Sequence, residues 1–351
     1  MKNEPSKKRR WLRAAGGVLA GVLVLVLVVP LLAFNISPVA GSLLIRAMFA
    51  GEPQLPPASL TFTGEVQVQQ NLRYGTAADE QLDLYLPKQQ SGTCPLVIWV
   101  HGGAFVGGDK NDVRFLAEAL AFNGYAVAAI NYSRAPEAKY PTPVLQTGRA
   151  YSFLTTGSYP GKEKIDTRQI FIAGDSAGAN IAAQFALLQT NMAYRAAFMS
   201  AYDAGDFPGV MPPEVLRGAL LYCGPYSMGQ LGAVSHPLMK FLLSQTGWAY
   251  FGERDFAAGP AAAEVDIIRH VTAAFPPAFI TDGNTLSFPD HGKALSGALS
   301  ALGVPVRNLF FDDTAEAVPH EYQFHLQSEA GRTALEHTLQ FLADYRLPQD
   351  A

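Results

Sequence analysis

The sequence predicts an α/β fold built on one mostly parallel β-sheet with helices on both faces, roofed by a helical insertion and preceded by a single transmembrane helix. Three observations predict it. Short apolar runs of strand length alternate with longer stretches of helical period, the pattern of successive βα units. Most of those short runs are apolar throughout instead of alternating with polar residues, as strands covered on both faces must be. Near the N-terminus, finally, Ala14 to Phe34 runs for 21 residues without a charge.

That stretch comes first. At about 1.5 Å per helical residue it reaches ~32 Å, enough for a hydrocarbon layer of ~30 Å. Residues 1–13 carry six Lys/Arg against one Glu, a net +5, which holds the N-terminus in the cytoplasm and sends the remaining chain across. The run is longer than the usual apolar core of an export signal, and Pro38-Val39-Ala40 makes a poor cleavage site, so an uncleaved anchor is expected. A cleaved export signal is the alternative, and both place the domain outside the cytoplasm. Residues 35–59 read as a juxtamembrane helix and a linker broken by Pro53, Pro56 and Pro57, and the folded domain as residues 60–351.

Within the domain the expected strands are Leu82 to Leu86, Pro95 to Val100, Ala126 to Asn131, Ile170 to Ala173, Ala219 to Cys223, Ala278 to Thr281 and Val306 to Phe311. The expected helices are Asp112 to Asn123, Ala177 to Leu188, Pro289 to Leu302 and Ala330 to Tyr345, two of them closed by Gly124 and Gly303. Gln189 to Arg217 leaves from the wrong end of a βα unit to reach a site at the carboxyl edge, and reads as structural. Residues 226–275 leave a strand at its carboxyl end, and Leu238, Met239, Phe241, Leu242, Trp248, Tyr250 and Phe251 are expected to roof a site from above.

Composition narrows the function. With 49% hydrophobic and 16% charged residues the chain can bury a large core. The overall charge of −4 leaves −9 beyond the basic N-terminal residues, and no later Lys/Arg run exists, so nucleic acid is excluded as a partner. Two cysteines, Cys94 and Cys223, build neither a disulfide framework nor a four-ligand zinc site. They are expected at opposite ends of their strands and therefore unpaired.

Gly174-Asp175-Ser176-Ala177-Gly178 has the form G-x-S-x-G between an apolar strand and a helix, the context in which a sharp turn lifts a nucleophilic serine above a sheet. His101-Gly102-Gly103-Ala104-Phe105 follows another strand, where bare backbone can approach a substrate oxygen. Its amides, with that of Ala177, are expected to form an oxyanion hole.

These residues resemble the hormone-sensitive-lipase-like carboxylesterase branch of the α/β-hydrolase superfamily. His101-Gly-Gly-Ala is similar to that branch's HGGG, Gly-Asp-Ser-Ala-Gly to its elbow, and Asn131-Tyr-Ser-Arg-Ala-Pro-Glu137 to its D-Y-R-L-A-P-E stretch. The resemblance implies Ser176 as nucleophile and oxyanion amides at Gly103, Ala104 and Ala177, with Gly102 shaping the turn. It also implies a general base at His320, in the loop before the last helix. The family's acid turn is irregular here: Thr285 or Leu286 stands near the expected place, so Asp282, leaving its strand directly, is the expected acid, with Asp290, or a weak or absent third member, as the alternatives. The expectation is a membrane-anchored, extracytoplasmic serine hydrolase that cleaves small-molecule carboxylic esters of small to medium acyl chain through an acyl-enzyme, with no cofactor or metal. A catalytically weak or inactive binding module on the same fold, and a serine peptidase on the same triad, stay open.

Overall fold

Among the described residues eight strands form one sheet: β1 (Val66–Arg73), β2 (Gln81–Pro87), β3 (Cys94–Val100), β4 (Ala126–Ile130), β5 (Ile165–Asp175), β6 (Leu216–Tyr222), β7 (Ala278–Asp282) and β8 (Val306–Phe310). The computed structural model describes residues 11, 32–62, 64–90, 92–202, 207–231 and 237–348. The strands lie in the order β1-β2-β4-β3-β5-β6-β7-β8. From β4 to β8 every pairing is parallel, and β2 joins that block antiparallel, with β1 antiparallel outside it. Strands β3, β4 and β7 are buried at every residue, which is why their sequences are unbroken apolar runs.

The two sheet faces carry separate cores. On one, Val144 and Leu154 of α3 (Thr142–Thr156), Ile181 and Phe185 of α4 (Ala177–Thr190), and Leu295 and Leu299 of α10 (Pro289–Ala301) pack against alternate strand residues such as Ile98 and Ile172. On the other, Leu116 and Leu120 of α2 (Arg114–Phe122) and Leu335 and Phe341 of α11 (Glu329–Tyr345) pack against Trp99 and Phe171. Helix α3 and the edge strand β1 are additions to the sequence reading. Cys94 opens β3 and Cys223 follows β6, both buried and free, as their strand positions predict.

Helix α5 (Met192–Tyr202) occupies the first long connection. The second holds α6 (Met228–Leu231), α7 (Pro237–Phe251), α8 (Pro260–Glu264) and α9 (Ile267–His270). Most of the expected membrane span lies outside the described residues. Among the described residues no helix is long and apolar enough to cross a membrane. Helix α1 (Val39–Phe49) does not stand apart from the domain: Gly41, Ser42 and Ile45 are buried, and a Cβ on Gly41 would come within 2.6 Å of the Gln245 side chain on α7. Arg46 fastens it further, donating from Nε to Val106 O at 2.6 Å, from Nη2 to Ala135 O at 2.9 Å and from Nη1 to Glu137 at 3.0 Å.

Candidate active site

Ser176 sits between the last residue of β5 and the first of α4 with φ 51° and ψ −119°, a conformation that L-residues adopt only when their surroundings enforce it. Two glycines make the turn this tight. A Cβ on Gly178 would lie 2.0 Å from Val100 O, and one on Gly174 would lie 2.3 Å from Gly178 O. Ser176 N–H donates to Tyr222 O at 2.8 Å, which fixes the turn to the neighbouring strand.

The Ser176 hydroxyl lies 2.8 Å from His320 Nε2. Burial lowers His320 to about 4, so its ring is neutral at neutral pH and can accept a proton. Asp282 is the buried last residue of β7, yet it does not meet the ring directly. Ser287 stands between them, its hydroxyl 2.7 Å from His320 Nδ1 and donating to Asp282 Oδ1. The expected direct Asp282–His320 contact is thus replaced by a bridged one, because the chain between Gly283 and Phe288 folds back over the carboxylate. Burial raises Asp282 to about 7, against the lowering effect of the Ser287 hydroxyl. Asp290 is exposed in the first turn of α10.

The loops bearing Asp282 and His320 are clamped together. Asn284 donates from Nδ2 to Phe311 O and Glu316 O, both at 3.0 Å, and accepts from Val318 N–H at 2.9 Å. A Cβ on Gly283 would lie 2.4 Å from Pro319 O, so only glycine permits this approach. Asp-Gly-Asn at a strand end was the signal in the sequence. Ser287, a serine in a loop, left none.

In the turn after β3, Gly103, Ala104 and Phe105 have φ of 101°, 54° and 60°. Gly102 N–H does not face the substrate side: it donates to Asp175 Oδ2 at 2.7 Å, consistent with a turn-shaping role. Asp175 also accepts from Trp99 Nε1 at 2.7 Å. Beside it lies Glu321, held well above the usual carboxylate range by burial and by the Asp175 charge. Because Asp175 receives two N–H donors, it is the partner that keeps the charge and Glu321 the one that keeps the proton. The stretch from Asn131 to Glu137 supports the turn from beneath. Tyr132 stacks on His101 at 4.4 Å between ring centroids, and Ala135 N–H donates to Phe105 O at 2.9 Å.

Ala104, Ser176 and Ala177 open on an apolar cavity of about 50 Å³ closed by Met228, Leu231, Leu243, Tyr250, Phe251 and Phe256. Of the residues expected to roof the site, Tyr250 and Phe251 do so, whereas Leu238 is exposed and Trp248 lies under the Arg254 guanidinium. A wider cleft of about 270 Å³ meets the same turn from the other side, at Gly103, between Met48, Phe49 and Glu321. Cys223, Asp282 and His320 bring donor atoms within 4.8 Å of one another, a set that a divalent metal can use. Ser287 already occupies the space between two of them, and burial pushes the Cys223 thiol far up, so it stays protonated.

The BD-FAE family profile matches residues 82–288. Among curated proteins, a probable isoprenylcysteine alpha-carbonyl methylesterase of Oryza sativa subsp. japonica is 37% identical over 119 residues, which is 33% of this chain and 28% of that protein. Kynurenine formamidase of Danio rerio is 34% identical over 162 residues, 46% of this chain and 47% of that protein. The chain thus spans less than half the length of these curated relatives. Esterase B from Lactobacillus Rhamnosis superposes with a TM-score of 0.68 over 90% of this chain and 95% of that one, at 21% identity, a likeness of fold. Since the BD-FAE profile takes in the sheet from β2 to β7 together with the turn after β3 and the elbow at Ser176, the chain belongs to that family.

Proposed function

We propose that this protein hydrolyses carboxylic esters of short acyl chain through an acyl-enzyme on Ser176. The observation that carries the reading is the 2.8 Å contact between Ser176 Oγ, at a strained elbow, and the neutral His320 ring. His320 takes the hydroxyl proton as Oγ attacks the acyl carbon, and returns it to the departing alcohol. Water then repeats the sequence to release the acid. The amides of Gly103, Ala104 and Ala177 receive the charge that develops on the acyl oxygen, each such donor being worth roughly 10²- to 10³-fold in rate. Asp282 supplies the negative charge behind the base.

A cavity of about 50 Å³ beside the nucleophile suits an acyl group of a few heavy atoms, at the short end of the expected range. The names of the relatives, a methylesterase and a formamidase, support hydrolysis of a carbonyl centre bearing small groups. A formamide is the second substrate class that this cavity size favours. For location, the reading is a span over residues 14–34 with the catalytic domain outside the cytoplasm, supported by the uncharged run behind six cations. The apolar side chains that Ile36, Val39, Leu43 and Met48 expose at the start of the domain favour a position against lipid.

A fluorophosphonate probe tests the reading. Labelling of the native chain and its loss in Ser176→Ala, along with ester turnover, is the expected result. An unlabelled native chain favours the binding-module alternative.

A further inference from the structure

We propose that Ser287 is a positioning residue that sets the tautomer of His320, so that the nucleophile is activated through a four-membered chain, Asp282–Ser287–His320–Ser176. The proposal rests on the serine-hydrolase reading above.

The Ser287 hydroxyl has a single proton to donate. An ionised carboxylate only accepts, so the hydroxyl hydrogen must point to Asp282 Oδ1. Only lone pairs then remain to face His320 Nδ1, 2.7 Å away, and that nitrogen must carry the ring's proton as the donor. Nε2 is left unprotonated opposite Ser176 Oγ at 2.8 Å, the arrangement a general base needs. During attack the proton of Ser176 moves to Nε2. The resulting imidazolium still donates from Nδ1 to Ser287, whose hydroxyl relays the carboxylate's charge without giving up its own proton.

The chain has a direction, and protonating Asp282 reverses it. A carboxylic acid donates to Ser287 Oγ, the Ser287 hydroxyl turns toward Nδ1, and Nε2 then carries the proton and faces Ser176 as a donor. Both states satisfy every hydrogen bond, but only the first can activate the nucleophile. Other titratable groups face these atoms: Cys223, Tyr226 and Tyr322 lie near Asp282, and Glu321 Oε1 is 3.9 Å from His320 Nε2. Burial keeps the thiol and both phenols protonated, and burial together with the Asp175 charge keeps Glu321 protonated, so Asp282 is the group whose ionisation turns the chain. The Phe288 ring, edge-on to His320 at 5.4 Å, restrains the imidazole in plane without offering it a partner for Nδ1.

The test compares full-length native protein with Ser287→Ala, Ser287→Thr and Ser176→Ala on a short-chain p-nitrophenyl ester across pH. Ser287→Ala is expected to lower kcat by about 10²-fold with KM changed by less than about threefold. Because the hydroxyl holds Asp282 down, the acid limb of its profile moves to higher pH. Ser287→Thr, which restores the hydroxyl, recovers most of kcat. Nitrogen NMR of labelled histidine reads the tautomer independently: Nδ1–H in the native chain at about pH 8, and a mixture in Ser287→Ala. Native kcat, acid limb and tautomer in Ser287→Ala, with Ser176→Ala inactive, would overturn the relay and leave the hydrolase reading standing. Full turnover in Ser176→Ala would instead remove the reading on which the relay rests.

Discussion

Gly102 donates its backbone N–H to the Asp175 carboxylate at 2.7 Å, which ties the turn after β3 to the residue immediately before Ser176. Glu321, the neighbour of His320, leans on the same carboxylate. The turns that carry Gly102, Asp175 and Glu321 therefore meet at a single carboxyl pair, Asp175 buried and Glu321 half-buried. A methyl group on Gly102 would come within 2.4 Å of Glu321 Oε1, 2.5 Å of Asp175 Oδ2 and 3.1 Å of Asp175 O. Gly102→Ala is expected to lower kcat by at least about 10²-fold, the scale of one lost oxyanion donor, while circular dichroism keeps its native form.

The same pair separates two conservative changes. Glu321 already holds a proton, so Glu321→Gln keeps a donor toward Asp175 and is expected to leave kcat within about threefold of native. Asp175→Asn removes the charge that receives Gly102 and Trp99, and is expected to cost considerably more. Steady-state kinetics on the two variants checks the assignment, and equal losses would contradict it.

The pH dependence has a definite sign. His320 is neutral above about 4, but Asp282 is ionised only above about 7, so ester turnover should climb through pH 7 under the control of the carboxylate. Stability should move the other way. Folded Asp282 keeps its proton where the unfolded chain has lost it, so its contribution falls as pH rises from the ordinary carboxylate range to about 7. Asp282→Asn is therefore expected to raise Tm at pH 8 while lowering kcat by about 10³- to 10⁴-fold. Asp290→Asn should change neither, since that side chain is exposed in the first turn of α10.

Substrate range follows from the roof. The native chain should prefer acetyl and propionyl esters to octanoyl ones, because the cavity behind Ala104 holds few atoms. Leu231 is buried in its wall, and Leu231→Ala should shift the optimum toward longer acyl chains at about 2 to 5 kcal/mol of stability. A panel of esters of graded chain length and a denaturant titration check the two halves separately.

Much of this fold was legible because burial on both faces writes itself as unbroken apolar runs. β3, β4, β6 and β7 were readable for that reason, and so was the elbow, whose two glycines answer to backbone clashes. β1 was not: it is a glutamine-rich edge, bulged between Gln69 and Leu72, with Asn71 at φ 58°. Helix α3 was hidden by Pro143 in its first turn and by Gly148, which is required because a Cβ there would lie 2.1 Å from Pro208 O. At the site, Ser176, His320 and Asp282 could be proposed from order along the chain. Ser287 could not, since its place depends on how the acid loop folds back against residues 318 and 319, where Thr285 bridges to Pro319.

Arg46 sets an order of assembly. Its partners Val106, Ala135 and Glu137 lie 60, 89 and 91 residues downstream, and the Gln245 side chain that reaches Phe34 lies 211 residues away. Helix α1 therefore leaves the ribosome before its docking surface has been made, and contacts of such sequence separation carry a larger loop-closure cost than local ones. Until α7 is synthesised, the face of α1 that carries Gly41 lacks the Gln245 side chain it packs on, and the wall over Ser176 lacks Leu243, Tyr250 and Phe251.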